Sequence, residues 1–331
     1  MSALLEVENV SKVFELNRSW VDRLARRPLK QLQALDQVGL DIQAGQIVGL
    51  VGESGSGKST LGRCIVRLYT PETGTIRFEG QDITHLSDQD LLPLRRQIQM
   101  IFQNPYSSLN PRLSVRQTLN EVLVVHGVAS GLEREERIRE LLELVGLPLD
   151  AADRLPGAFS GGQRQRIGIA RALALKPRLL IADEPVSALD VSIQAQIVNL
   201  LKQLQEEFNL AMLFISHDLR VVRYISSRVL VMYLGRIVED APTDVLFREP
   251  EHPYTRILIE TAPKLEVNRQ ALKPTTPTVT GEIPSPLNLP TGCRFNTRCS
   301  FAAPICEQVD PPLTEIAPGH RLACHRPWRK E

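Results

Sequence analysis

Apolar positions along this chain follow two periods. Gln46-Ile-Val-Gly-Leu-Val-Gly52, Leu179-Leu-Ile-Ala182 and Met212-Leu-Phe-Ile215 are short and apolar at consecutive positions, which predicts parallel strands buried on both faces. Between them the spacing turns helical. Leu61, Cys64, Ile65 and Leu68 share one face, and Ile193, Ile197, Leu200, Leu201, Leu204 and Phe208 a longer one. Residues 4–14 and 32–42 alternate apolar with polar, predicting an antiparallel β-subdomain ahead of the α/β core. From about residue 104 to 158 the pattern is helical, and the stripe Ile138, Leu141, Leu142, Val145 stops where Gly146 can terminate it. Residues 242–258 read as one more helix, and the Pro- and Thr-rich residues 273–290 as a linker or extended strap.

The chain has 331 residues, 43% of them hydrophobic, and a formal net charge of +1. A sizeable core is therefore expected. The balanced charge lacks the basic excess of a nucleic-acid binder. No apolar stretch approaches the roughly 20 residues needed to span a bilayer. Residues 1–8 carry Glu6 and Glu8 in place of a signal peptide's basic-then-apolar order. A cytosolic protein able to dock on a membrane partner is expected. Residues 17–31, with Arg18, Arg23, Arg26, Arg27 and Lys30, form either a solvated basic loop or a contact for lipid headgroups or a membrane partner.

Gly52-Glu53-Ser54-Gly55-Ser56-Gly57-Lys58-Ser59-Thr60 fits G-x-x-x-x-G-K-[ST] and falls between a predicted strand and a predicted helix. Glycines let backbone amides turn toward phosphates, and the helix start points its positive end at the same anion. Lys58 is expected to reach the β- and γ-phosphates and Ser59 to hold Mg²⁺. The strand 179–182 ends in Asp183-Glu184, which alternation sends in different directions. Asp183 suits the Mg²⁺ shell and Glu184 a general base for the attacking water. His217 follows the next predicted strand and is expected to hold the γ-phosphate. Phe159-Ser160-Gly161-Gly162-Gln163 opens another helix with a good N-cap at Ser160, a second anion site.

Taken in order, these motifs resemble the ATP-binding subunits of ABC transporters. The resemblance rests on Gly52–Thr60, Gln103 in Met100-Ile-Phe-Gln103, Ser160–Gln163, Asp183-Glu184, Ser187-Ala-Leu-Asp190 and His217. Phe159 stands where the family commonly has Leu. The resemblance implies an ABC-type P-loop NTPase with a RecA-like core, an antiparallel β-subdomain and an α-helical subdomain near residues 104–175. It implies two cassettes that clamp two ATP molecules head to tail. Gly52–Thr60 of one would then face Ser160, Gly161, Gly162, Gln163 and Asp190 of the other. Gln103 would join Ser59 and Asp183 around Mg²⁺ and act with Glu184 and His217 in hydrolysis, and Phe14 would stack on adenine.

Asn104-Pro-Tyr-Ser-Ser-Leu-Asn-Pro-Arg112, His252-Pro-Tyr-Thr255 and the stretch from Gly292 to His325 resemble oligopeptide/dipeptide (and nickel) importer subunits. An ATPase domain over residues 1–245 and a C-terminal extension over 246–331 are expected. The basic insertion is similar to that of the F-type subunit. This implies a D-type ATPase partner, two permeases and a periplasmic peptide-binding protein, at the cytoplasmic face of an inner membrane. Nickel, glutathione and opines are alternative solutes, and a soluble non-transport ATPase is the competing class. Cys293, Cys299, Cys306 and Cys324 are spaced C-x5-C-x6-C-x17-C. In a reducing compartment they read as a [4Fe–4S] cluster or a Zn²⁺ site, with free thiols or disulfides as the alternative. Cys64 reads as a small buried side chain.

Overall fold

Strands in chain order are β1 (Leu5–Glu15), β2 (Gln31–Ile42), β3 (Ile47–Val51), β4 (Thr73–Phe78), β5 (Gln81–Asp82) and β6 (Ile98–Ile101). They continue with β7 (Leu179–Asp183), β8 (Ala211–Ile215), β9 (Arg228–Tyr233), β10 (Arg236–Pro242), β11 (Thr314–Ala317) and β12 (His320–Leu322). This computed structural model describes residues 3–15, 31–104, 108–128, 130–261 and 284–328. The chain divides into two units: Met1–Leu5, Ile42–Ile47 and Phe78–Ser216 form one, and Glu6–Asp41, Val48–Arg77 and His217–Glu331 the other.

In the first unit β6, β7 and β8 run parallel, with Met100 opposite Ile181 and Ile181 opposite Leu213. Every residue of β7 and β8 is buried, as continuous apolar runs require. The helices Val115–Val125 and Gly131–Leu144 follow β6 in sequence. The second of them closes as its spacing predicts, Gly146 N donating to Glu143 O and Leu147 N to Leu142 O. Helix Gly161–Leu173 leads to β7, and helix Val191–Phe208 leads from β7 to β8. On the latter Ile197, Leu200, Leu201 and Leu204 are buried, but Phe208 is 46% exposed at the last turn, against expectation.

In the second unit β3 pairs parallel to β9, and β9 turns back antiparallel as β10. β12 pairs with β10, and β11 with β12, both antiparallel. A separate sheet has the order β2-β1-β4. Helix Lys58–Ile65 buries Leu61, Cys64 and Ile65. Leu68, expected on the same face, is 53% exposed, because Arg67 at φ 57 has already turned the chain out of the helix. The helix expected over 242–258 is two helices, Thr243–Arg248 and Pro253–Thr261. Pro253 lacks the amide needed to continue a helix, and the amides of Glu251 and His252 go to the buried Glu239 carboxylate at 2.8 and 3.0 Å.

No described helix is long and apolar enough to cross a membrane. The basic insertion lies outside the described residues save for Gln31, as does most of the 273–290 linker.

Candidate functional site

The second unit holds the phosphate loop. Gly57 stands at φ 106, ahead of the helix that starts at Lys58. A Cβ there would come within 2.4 Å of Ala34 O, so only glycine fits this left-handed turn. Lys58 is 4% exposed. Its ammonium folds back on the loop and donates to Gly52 O at 2.8 Å, Glu53 O at 2.9 Å and Ser56 Oγ at 3.4 Å. Ser54 and Gly55 at the tip are exposed, and Ser59 and Thr60 are half-buried in the first helical turn. A cation and a helix start therefore face one loop, an arrangement suited to phosphate.

Phe14, at the end of β1, meets Tyr69 edge-on with ring centroids 5.2 Å apart, and Lys12 lies 5.3 Å from the Phe14 centroid. Tyr69 went unnoticed in the sequence because no motif contains it. His217 is exposed just ahead of helix Leu219–Ile225. Asp218 caps that helix, and its bond from the Arg220 guanidinium holds its carboxyl below the usual range.

The acidic pair belongs to the first unit. Asp183 closes β7 fully buried, and Glu184 is half-buried, the divergence that strand alternation predicts. Gln103, two residues beyond β6, donates from Nε2 to Glu184 Oε2 at 2.9 Å. Glu184 itself has φ 45, and its amide donates to Ile215 O at 3.0 Å.

The same unit carries the glycine pair at the start of helix Gly161–Leu173. Ser160 and Gln163 form a reciprocal capping box: Gln163 N donates to Ser160 Oγ at 3.3 Å and Ser160 N to Gln163 Oε1 at 3.0 Å. Gly162 has a packing reason as well, since a Cβ would lie 2.4 Å from Ile193 Cγ2. Ser160, Gln163, Asp190 and Gln103 are all exposed.

The four tail cysteines, Cys293, Cys299, Cys306 and Cys324, are all free thiols. Among the described residues no group of three or more His, Cys, Asp or Glu is arranged to hold a metal ion. The backbone ties this corner together instead, Cys293 N donating to Cys306 O at 2.8 Å. Burial pushes the Cys293 thiol up to about 11 and Cys324 to about 12, and raises Cys299. Each of Cys293, Cys299 and Cys306 nevertheless acts electrostatically on Cys324, so the four share one corner. Cys64 is fully buried, its thiol likewise pushed up to about 12 by burial, as expected of an inert core side chain.

Sequence reasoning missed the residues behind the loop. Tyr254 Oη accepts the Glu53 amide at 2.8 Å, and Arg298 grips the Glu53 carboxylate. The only local signal was the resemblance of 252–255 and 292–325 to known tails.

Residues 35–187 match a family described as ABC transporter, and residues 238–306 one described as oligopeptide/dipeptide transporter, C-terminal region. An oligopeptide transport ATP-binding protein of Bacillus subtilis is 50% identical over 323 residues, 97% of each chain. A putative peptide import ATP-binding protein of Brucella ovis is 52% identical over 299 residues, covering 89% of this chain and 92% of that one. Among solved structures, a dimeric ATP-binding cassette in a post-hydrolysis state with ADP and Pi is 32% identical. It matches at a TM-score of 0.64, over 72% of this chain and 98% of its own.

Proposed function

This chain belongs to the ABC transporter ATP-binding subunits that carry the oligopeptide/dipeptide-type C-terminal region, and from that membership we propose that it is the ATPase that energises import of di- and oligopeptides. The observation that carries the reading is the Gly52–Thr60 loop at the head of helix Lys58–Ile65, with Lys58 turned onto it. Relatives named for oligopeptide transport and for peptide import, at about half identity, supply the transported class.

In this reading the loop amides and Lys58 hold the phosphates, and Phe14 with Tyr69 receives the adenine. Ser59, Asp183 and Gln103 offer hard oxygen donors, the set Mg²⁺ prefers. When bound, Mg²⁺ neutralises charge on the transferred phosphoryl group. Glu184 takes the proton of the attacking water, Gln103 orients that carboxylate, and His217 steadies the γ-phosphate.

Ser160–Gln163 and Asp190 serve the nucleotide of a facing cassette, a D-type subunit. Two observations support this arrangement: the exposure of Ser160, Gln163 and Asp190, and the dimeric state of the solved cassette. The complex includes two permeases and a peptide-binding protein, with this chain peripheral at the cytoplasmic face. Residues 1–245 form the ATPase domain and 246–331 its extension.

Thiol donors at Cys293, Cys299, Cys306 and Cys324 suit a [4Fe–4S] cluster, or Zn²⁺, that would make them thiolates. Iron, sulfide and zinc analysis of anaerobically purified protein, with its visible absorbance, tests this: a colourless, iron-free preparation overturns the cluster, and one free of zinc as well overturns the metal site.

For the ATPase itself, hydrolysis is measured against protein concentration, with and without the partner cassette. Activity that rises with pairing is expected. Failure to bind Mg-ATP, or full-speed hydrolysis by a strict monomer, would overturn the reading.

A further inference from the structure

Glu53 is the second residue of the phosphate loop, yet its contacts run away from the loop. Its carboxylate takes a two-pronged grip from Arg298, Nη1 to Oε2 at 2.8 Å and Nη2 to Oε1 at 3.0 Å, the strong fork–fork geometry. Its amide donates to Tyr254 Oη at 2.8 Å. Lys58 holds the carbonyl side of that peptide, Gly52 O, and the carbonyl of the next one, Glu53 O. The backbone at 52–53 is thus fixed between its own lysine and two side chains from beyond residue 250.

Those side chains are themselves immobilised. Arg298 is buried, and its guanidinium lies 5.8 Å from the ring centroids of both Tyr233 and Phe295. The rings of Tyr233 and Tyr254 are 4.6 Å apart, and Phe295 meets them at 5.3 and 5.4 Å. Arg294 reaches forward to the carbonyl of Leu234 and the carboxylate of Asp36. Gly235 N in turn donates to Ser56 O at 2.8 Å. The extension is packed behind the loop at several points.

We propose that Arg298 and Tyr254 are positioning residues for the phosphate loop, so that the C-terminal extension sets the affinity of this chain for ATP. The proposal rests on the ATPase reading above. A loop that must receive a polyanion carries its own carboxylate at Glu53. Arg298 neutralises that charge and keeps it turned away, while Tyr254 holds the peptide in register. Without Arg298 the carboxylate is unbalanced and repels the incoming phosphates. Breaking a buried pair by removing one partner is worse than removing both.

The test is equilibrium binding of Mg-ATP to the full chain, followed with a fluorescent ATP analogue, and with melting temperature recorded for each variant. R298M is expected to weaken binding about tenfold. E53Q/R298M is expected to recover to within about threefold of wild type, because the stranded charge is gone. If Arg298 merely supports the fold, the double variant binds no better than R298M, and the proposal falls. Should R298M not fold, Y254F keeps the ring and loses only the acceptor for the Glu53 amide. Its binding is expected to weaken about threefold, and unchanged affinity overturns the proposal. A wild-type chain that does not bind Mg-ATP at all would instead overturn the ATPase reading. Binding by wild type and every variant alike would overturn this inference alone.

Discussion

Gln103 Nε2 donates to Glu184 Oε2 at 2.9 Å, so an exposed amide holds the carboxylate proposed as the general base. Glu184 keeps a left-handed backbone at φ 45, which costs a non-glycine residue on the order of 1–3 kcal/mol. Its amide bonds to Ile215 O at 3.0 Å, and its carbonyl accepts from Ser187 Oγ at 3.1 Å. Glu184→Gln preserves size and the pairing with Gln103 but removes the carboxylate proposed as base. Hydrolysis should fall by roughly 10²–10⁴-fold while bound ATP is retained. Single-turnover measurements on the paired cassettes check this, and near-normal turnover would remove Glu184 from the role.

Gly162 illustrates a packing demand inside a functional motif. In G162A the new methyl meets Ile193 Cγ2, 2.4 Å from where its Cβ must lie. Overpacking of this kind costs roughly 1–3 kcal/mol. The urea midpoint of G162A should drop, and adding I193A should restore part of it. If G162A is as stable as wild type, helix 191–208 has room to shift and the close approach is not a constraint.

Acidification should weaken the second unit through His252. Burial lowers its pKa from 6.5 to about 4, Glu239 offsetting only part of that effect. Below the ordinary imidazole pKa the unfolded chain takes up a proton that the folded chain refuses. Stability is therefore complete above about 6.5 and declines as pH falls toward about 4, by on the order of 1 kcal/mol per pH unit. Denaturation midpoints across this range should fall less steeply in H252N than in wild type. Equal slopes would mean that His252 is hydrated in solution.

Asp240 is fully buried and shared by two arginines: Arg228 donates from Nε and Nη2, both at 2.7 Å, and Arg321 from Nε at 2.8 Å. D240N leaves two guanidinium groups around a neutral amide, with only the more exposed Asp41 carboxylate, 3.1 Å from Arg228 and 3.7 Å from Arg321, still balancing them. The expected loss is about 3–5 kcal/mol, read as a lower urea midpoint. A change below about 1 kcal/mol would indicate that water screens the trio.

Much of this architecture was legible because local period encodes burial. β3, β7 and β8 are apolar at consecutive positions and are buried throughout, and Leu200, Leu201 and Leu204 fall on the inner helix face as their spacing requires. The phosphate loop was legible because its chemistry is contiguous. What escaped were pairings without local signature. Arg298 meets Glu53 across 245 positions, and Tyr69 meets Phe14 from a connecting turn. The break at His252-Pro253 was misread because helical spacing persists on both sides of it. A four-cysteine spacing likewise names possible donors but says nothing of where their sulfurs point.

The pairing of β12 with β10, Glu239 opposite Leu322 and Asp240 opposite Arg321, bears on how this protein would behave if cut short. Without the tail, β10 would offer an unpaired row of amides and carbonyls next to the apolar residues Ile237 and Val238, with His320 and Arg321 withdrawn from its two sequestered carboxylates. Raw sheet edges of that kind recruit strands from other molecules. In the whole chain they are covered by β12 and then by β11, four residues long and exposed at every position. A cassette clipped near residue 245 would be expected to self-associate, and its insolubility could be mistaken for a failure to fold.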